Sequence, residues 1–408
     1  MDFSDTPEEA AYRAKVRAWL EANAPKEGFS HTEGLTVAQE IARARDWQAK
    51  KAAAGYAQIT WPKEWGGPGG TPMQQVICKQ EEAHYDVDSP YFVLALGMCI
   101  PTVMAFADAA TKQQFVGPGL RGEHIWCQLF SEPASGSDAA AARTMAVRDG
   151  DGWVVNGQKV WTSGAHLADY GILLARTDVD VPKHKGMTMF WVHMKSPGIE
   201  VRPIHQMSDT AGFGFNEVFF TDLRIPDSQR LGEVGEGWKV AIVTLMNERL
   251  SIGGGSGPDY SDFMRLARTV TVDGGPALKN QAFREKMADW YVQTEGLRHT
   301  AMRTITALSR GQTPGPENSI GKIVGANQAQ DMAREATDML DQYGIISDPA
   351  LAPDEAMFQT LVLRAPGGRL AGGTDEILKN ILAERVLGLP GDVRLDKDVA
   401  FKDIPGGR

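Results

Sequence analysis

Cysteine is scarce in this chain of 408 residues. Cys78, Cys99 and Cys127 are three, and widely spaced, so neither a disulfide framework nor paired zinc ligands are expected, and a reducing cytoplasm suits them. Long apolar runs are missing as well. The longest, YFVLALGMCI over 91–100, lies between Pro90 and Pro101; it is too short to span a bilayer and reads as a buried helix. There is no basic excess. Forty-two Lys and Arg against 52 Asp and Glu leave a net charge of -10, which argues against nucleic acid, because phosphate binding needs a basic face. An anionic ligand must then be met locally, by helix N-termini or a few basic side chains. No H-E-x-x-H, Walker loop or G-x-S-x-G occurs and the eight histidines are dispersed, so metal, P-loop and serine-hydrolase chemistry have no footing. GPGLRG at 117–122 has the spacing G-x-G-x-x-G, but a helical pattern precedes it and a strand follows, the reverse of a dinucleotide fingerprint.

What is present is the composition of an ordinary globular protein, 42% hydrophobic and 23% charged, long enough for two or three packed units. The start, MDFSDTPEEAAYRAKV, is acidic without an apolar run, so a secretory signal peptide is not expected. Its Thr6, Pro7 and Glu9 fit an N-cap, a first helical position and a capping-box partner. Helical periodicity dominates to about residue 122. From Glu123 short segments rich in Val, Phe, Trp and Ile alternate with turn signals, DGDG at 149–152 and NG at 156–157, the latter reading as a hairpin between WVV and QKVW. YGILLAR, GMTMFWVHM, GIEVRPIHQM and FNEVFFTDLRIP are further strands.

After GEGW at 235–238 the pattern returns to helix: WKVAIVTLMNERLSI, then about Pro276 to Ser309, about Glu317 to Tyr343, and Thr374 to Leu387, stopped by Gly388 and Pro390. The expected class is therefore α+β, mainly α. Its parts are a helical domain at 1–122, an antiparallel β domain at 123–235, a helical domain at 236–391 and a tail at 392–408. This order excludes a doubly wound parallel fold.

Four motifs stand in sequence: SEPASGSD at 131–138, NGQKVWTSGA at 156–165, FNEVFF at 215–220 with GEGW, and GGTDEIL at 372–378 with AERVLG. Together they resemble the acyl-CoA dehydrogenase family of flavoproteins, over nearly the whole chain. The resemblance implies an N-terminal helical domain, a central β domain and a C-terminal four-helix bundle. It implies FAD, an acyl-CoA thioester as substrate, loss of an α-proton to a base and of a β-hydride to flavin N5, and a trans-2-enoyl-CoA as product. By the same resemblance, Gln128, Phe130 and Ser131 lie along the flavin and Ser137 lies between FAD and acyl-CoA. Trp161 and Ser163 cover the ring and meet N5, with Thr162 between them, while Thr374 and Glu376 contact FAD.

Gly372 occupies the position where many members carry the catalytic glutamate, leaving its backbone N–H as a donor to the thioester carbonyl. Other members, of long-chain and isovaleryl type, draw the base from the first helix of the C-terminal domain, just before an arginine. Here Glu248 precedes Arg249 in a strongly apolar helix (Val240, Ile242, Val243, Leu245, Met246, Leu250, Ile252), where a carboxylate is costly unless used.

Two departures concern the cross-subunit half of the FAD site. YSDFMRLARTVTVDGGPAL lacks an R-x-x-F-G motif, and DQYGIIS at 341–347 has Ile345 where a glycine is expected. Both fit bacterial relatives, some of which are heterotetramers of two related chains. The reading is thus a cytoplasmic lipid-metabolic oxidoreductase of β-oxidation type, passing electrons to an electron-transferring flavoprotein. It would be a homodimer, a homotetramer or one chain of a heterotetramer. A subunit inactive by itself and an oxygen-reoxidised oxidase are the alternatives.

Overall fold

The computed structural model describes residues 5–32, 34–208, 213–252, 258–312 and 315–405, with the side chains of all of these except 248–252 and 308–309. It divides into two compact units, one of residues 1–206, 210–251 and 394–408, the other of 207–209 and 252–393.

The first unit opens with helices whose starts are written in the sequence. Thr6 accepts from the Glu9 amide and Glu9 returns the bond, capping α1 (Pro7–Asn23). Thr36 with Gln39 and Thr71 with Gln74 repeat the device at α2 (Val37–Ala53) and α3 (Pro72–Glu82), each box satisfying two otherwise orphaned amides. The apolar run at 91–100 is not one α-helix. A 3-10 turn at Pro90–Phe92 and a π-helical segment at Ala95–Cys99 lead into α4 (Ile100–Phe106). Pro101 does not end the helix because it falls in the first turn of α4, where no amide donor is needed. Asp108 then caps α5 (Ala109–Leu120), which contains Gly117 and Gly119 of GPGLRG.

An eight-stranded sheet follows: β1 (Trp126–Leu129), β2 (Met145–Asp149), β3 (Gly152–Lys159), β4 (Tyr170–Arg176), β5 (Met187–His193), β6 (Ile199–Pro203), β7 (Asn216–Pro226) and β8 (Arg230–Leu231). Their order is β6-β7-β3-β2-β4-β5-β8, with β1 parallel beside β4. Most pairs are antiparallel, but β1–β4 and the single contact of β2 with β4 are parallel. Strand β4 is buried on both faces. Ile172 and Leu174 pack towards α4 and α5 with Ile100, Val103 and Phe115, whereas Leu173 and Ala175 join Val155, Phe190 and Phe220 on the other face.

The hairpin expected at Asn156–Gly157 is absent. The reversal between β2 and β3 occurs at DGDG, and β3 runs through NG as one strand with a register shift between Val155 and Gly157. Gly157 has φ +152° and its Cα faces Thr144 so closely that a Cβ would lie 2.6–2.8 Å from that residue. The glycine therefore serves a bulge and a close approach rather than a turn, and Asn156 reaches across to Asp222.

Helix α6 (Gly237–Ile252) leaves the sheet region. In the second unit α7 (Tyr260–Ala267), α8 (Gln281–Ser309), α9 (Ser319–Met339) and α10 (Met357–Gly368) enclose Phe263, Trp290, Met332, Ala336 and Phe358. The Phe263 and Trp290 rings meet edge to face at 4.8 Å. The final helix, α11 (Asp375–Arg385), is capped by Thr374, whose hydroxyl accepts from the Ile377 amide. Among the described residues no helix is long and apolar enough to cross a membrane.

Candidate active site

In the first unit the SEPASGSD loop is built on a buried ion pair. Lys159, fully buried on β3, donates to the Phe130 carbonyl at 3.0 Å and to Glu132 at 2.8 Å. Glu132 also accepts from the amides of Arg143 and Thr144 at 2.6 and 2.9 Å. Burial pushes the Glu132 carboxyl up, but the Lys159 charge and these hydrogen bonds outweigh it and hold the group below the usual carboxylate range. The loop 132–144 is thus closed at its neck. Before the neck stand Gln128 and Ser131, half-buried, and Phe130, buried; beyond it Ser137 faces solvent.

The WTSG segment is tied to the same neck, because the Val160 amide donates to the Ser131 carbonyl at 2.9 Å. Trp161 follows with φ +59° and a ring 58% exposed. A bulky residue in the left-handed region is strained by about 1–3 kcal/mol and persists only where its surroundings impose it. Asn216 imposes it. Fully buried at the start of β7, Asn216 donates to the carbonyls of Thr162 (2.9 Å) and Gly214 (3.1 Å), and its own carbonyl accepts the Thr162 amide at 3.0 Å. Next to Trp161 the Thr162 hydroxyl, and in the 132–144 loop the Ser135 hydroxyl, are buried without a hydrogen-bond partner. Ser163 is half-buried.

In the second unit the LAGGTDE stretch is anchored by Asp375, which is 2% exposed. Arg369 pairs with it at 2.7 Å, Asn327 donates at 3.0 Å, and Lys322 donates to the Gly373 carbonyl. Burial opposes the Asp375 charge, and Asn327 with Arg369 more than restores it, so its carboxyl lies below its ordinary range. Gly372 has φ +66°, a conformation that an L side chain takes only with strain. Thr374 is half-buried and Glu376 exposed.

Glu248 and Arg249 are in the last turns of α6, and their side chains lie outside the described ones. Of the apolar positions before them, Val240 is fully buried, whereas Ile242 and Met246 are 42% and 49% exposed. The helix is therefore less completely covered within this chain than its composition suggests. Thr244, fully buried, bonds to Thr102 of α4 at 2.8 Å.

Comparison with known proteins decides the family. Models of the acyl-CoA dehydrogenase N-terminal, middle and C-terminal domains match residues 6–123, 127–223 and 235–387. The acyl-CoA dehydrogenase IpdE1 of Mycobacterium tuberculosis is 35% identical over 94% of this chain and 98% of its own length. The chain belongs to the acyl-CoA dehydrogenase family. FadE34 of the same organism is 36% identical over 84% of this chain, which spans only 46% of that longer relative. Among solved structures, the steroid ACAD Tcur3481-Tcur3483 superposes with a TM-score of 0.77 at 25% identity, covering 96% of this chain and all of the other. The ChsE4-ChsE5 complex of Mycobacterium tuberculosis gives 0.76 at 26% identity, with the same coverage.

An acyl-CoA dehydrogenase is an FAD-binding oxidoreductase, and the first unit fits that cofactor. An exposed indole held in a strained turn, half-buried hydroxyls at Ser131 and Ser163 and two unpaired buried hydroxyls suit a flat ring edged with polar atoms. Sequence reasoning gave no bracing role to Glu132, Lys159, Asn216 and Asp375, which hold these turns. Each stood inside or beside a quoted motif.

Proposed function

We propose that this protein dehydrogenates an acyl-CoA thioester at its α,β-bond, with Glu248 taking the α-proton. FAD, when bound, supplies the acceptor for the hydride that leaves the β-carbon. The observation that carries the assignment is Gly372: its left-handed backbone disfavours a carboxylate there, and the chain offers a glutamate instead on α6. Position 248 follows Thr244 by one helical turn, on the row that begins with Val240, and both of those residues are fully buried. A carboxylate can remove a weakly acidic α-proton only where water is excluded and its pKa rises towards neutrality.

The remaining roles are assigned to this chain's residues in the same reading. Gln128, Phe130, Ser131, Trp161, Thr162, Ser163, Thr374 and Glu376 are assigned to the flavin. Ser137 and Arg249 are assigned to substrate binding, and the Gly372 N–H to donation to the thioester carbonyl, stabilising charge as the α-proton departs. Domain boundaries near 122, 235 and 391 go with this division, as do a cytoplasmic location and an electron-transferring flavoprotein as acceptor.

The relative named a steroid ACAD favours a bulky acyl group over a plain fatty chain, and two relatives named as pairs of chains favour assembly with a second, related subunit. Anaerobic titration of the yellow protein with straight-chain, branched and steroid side-chain CoA thioesters tests both reaction and substrate. Bleaching of the flavin by at least one thioester is expected. No bleaching by any of them, with or without a partner chain, contradicts a catalytic role.

A further inference from the structure

The segment after Gly391 lies beyond residue 387, where the match to the C-terminal domain model ends, and no family motif gives it a task. Its last part is nevertheless folded onto the first unit. Ala400 forms an antiparallel bridge with Pro182, and the amides of Phe401 and Lys402 donate to the carbonyls of Val181 and Val179 at 2.9 and 3.0 Å. Phe401 is 9% exposed, and its ring centroid lies 3.8 Å from the guanidinium carbon of Arg176. Asp396 pairs with Lys183 at 2.6 Å, and the same ammonium reaches Asp138 at 2.6 Å.

Arg176 and Lys183 therefore each touch the C-terminal segment on one side and the SEPASGSD loop on the other. Arg176 is fully buried and donates to the carbonyls of Ala140 and Ala142, within two to four residues of Asp138. It also donates to the Lys183 carbonyl at 2.5 Å. Its charge is compensated by those carbonyls and by the face of the Phe401 ring, a favourable cation–π partner once water is excluded. The Lys183 side chain is 12% exposed, while Asp138 and Asp396 are 51% and 36% exposed, so the two ion pairs are partly screened by solvent.

The loop needs such a hold. Between the Glu132 neck and Ala140 it carries Ser135, Gly136 and Ser137, residue types with high backbone freedom, and Ser137 itself is exposed. A loop ordered before binding spares the ligand the cost of ordering it. We propose that residues 394–404 act as a strap that holds the Ser137 loop in place for FAD and acyl-CoA, with Lys183 and Phe401 as positioning residues. This rests on the assignment of Ser137 and its loop made above.

The test uses the full-length chain and four variants: Phe401→Ala, Asp396→Asn, Lys183→Met and the conservative Lys183→Arg, with Ser137→Ala for reference. FAD affinity is read from flavin fluorescence as apoprotein is titrated, KM and kcat with the best acyl-CoA, and Tm from the apoprotein. Phe401→Ala and Lys183→Met are expected to raise the FAD Kd and the acyl-CoA KM by about tenfold while kcat changes less, the signature of a loosened support. Lys183→Arg should stay near wild type. Asp396→Asn, which removes only a partly exposed carboxylate, should keep the wild-type Tm and still weaken both affinities. Unchanged FAD Kd and KM in Asp396→Asn and Phe401→Ala, with Ser137→Ala raising KM, would overturn the strap and leave the site standing. An unchanged KM in Ser137→Ala as well would remove the assignment of the loop and the strap together.

Discussion

At the scale of single residues, the buried Lys159–Glu132 pair decides the geometry of the 132–144 loop. Removing one partner leaves an uncompensated buried charge, so Lys159→Met should destabilise the fold by about 3–5 kcal/mol in denaturant titrations, and adding Glu132→Gln should recover part of that loss. The folded carboxyl of Glu132 titrates below its unfolded value. Its contribution is thus present in full above about pH 4.3, the ordinary glutamate range. It is lost as pH falls through the depressed folded value; acid unfolding of the Glu132→Gln variant should show a shallower pH dependence. The three cysteines make a separate point. All are buried and free, and burial pushes the Cys78 thiol up to about 12 and raises those of Cys99 and Cys127 as well. A thiol reagent should find none of them in the native protein and all three in denaturant, since only the thiolate reacts.

At the scale of elements, the strained Trp161 turn is held by a residue 55 positions away in sequence, Asn216 at the head of β7. Asn216→Ala deletes two donated bonds and leaves the Thr162 and Gly214 carbonyls short of partners, a cost of about 1–3 kcal/mol. FAD affinity measured by equilibrium titration should fall more than overall stability does. Much of this level was legible beforehand. Capping boxes at Thr6 and the cap at Thr374 depend on residues three apart, and the strands YGILLAR and FNEVFFTDLRIP depend on local composition, so sequence reasoning found them. The NG dipeptide misled because local turn chemistry was overridden by β7, which pairs along the whole of β3 and turns Gly157 into a bulge. The π-helical stretch after Pro90 was likewise invisible, since its apolar pattern does not distinguish a π turn from an α turn. The bracing residues were missed for a related reason: their partners are brought to them by the fold, not by spacing.

At the scale of the whole molecule, the proposed site draws on residues far apart in the chain, and in that proposal a base from α6 stands in for the carboxylate that position 372 lacks. Co-expression with a related chain, followed by gel filtration and flavin quantification, should show whether FAD occupancy rises on pairing. One flavin per chain in a homo-oligomer is the result expected of a self-sufficient enzyme. The account stands most directly on Glu248. Glu248→Gln, loaded with FAD and mixed anaerobically with the best acyl-CoA found for the wild type, should retain the flavin and bind the thioester but fail to bleach, with the rate down by about 10³-fold or more. Bleaching at a wild-type rate in that variant would contradict the assignment of the base and, with it, the central reading of this protein.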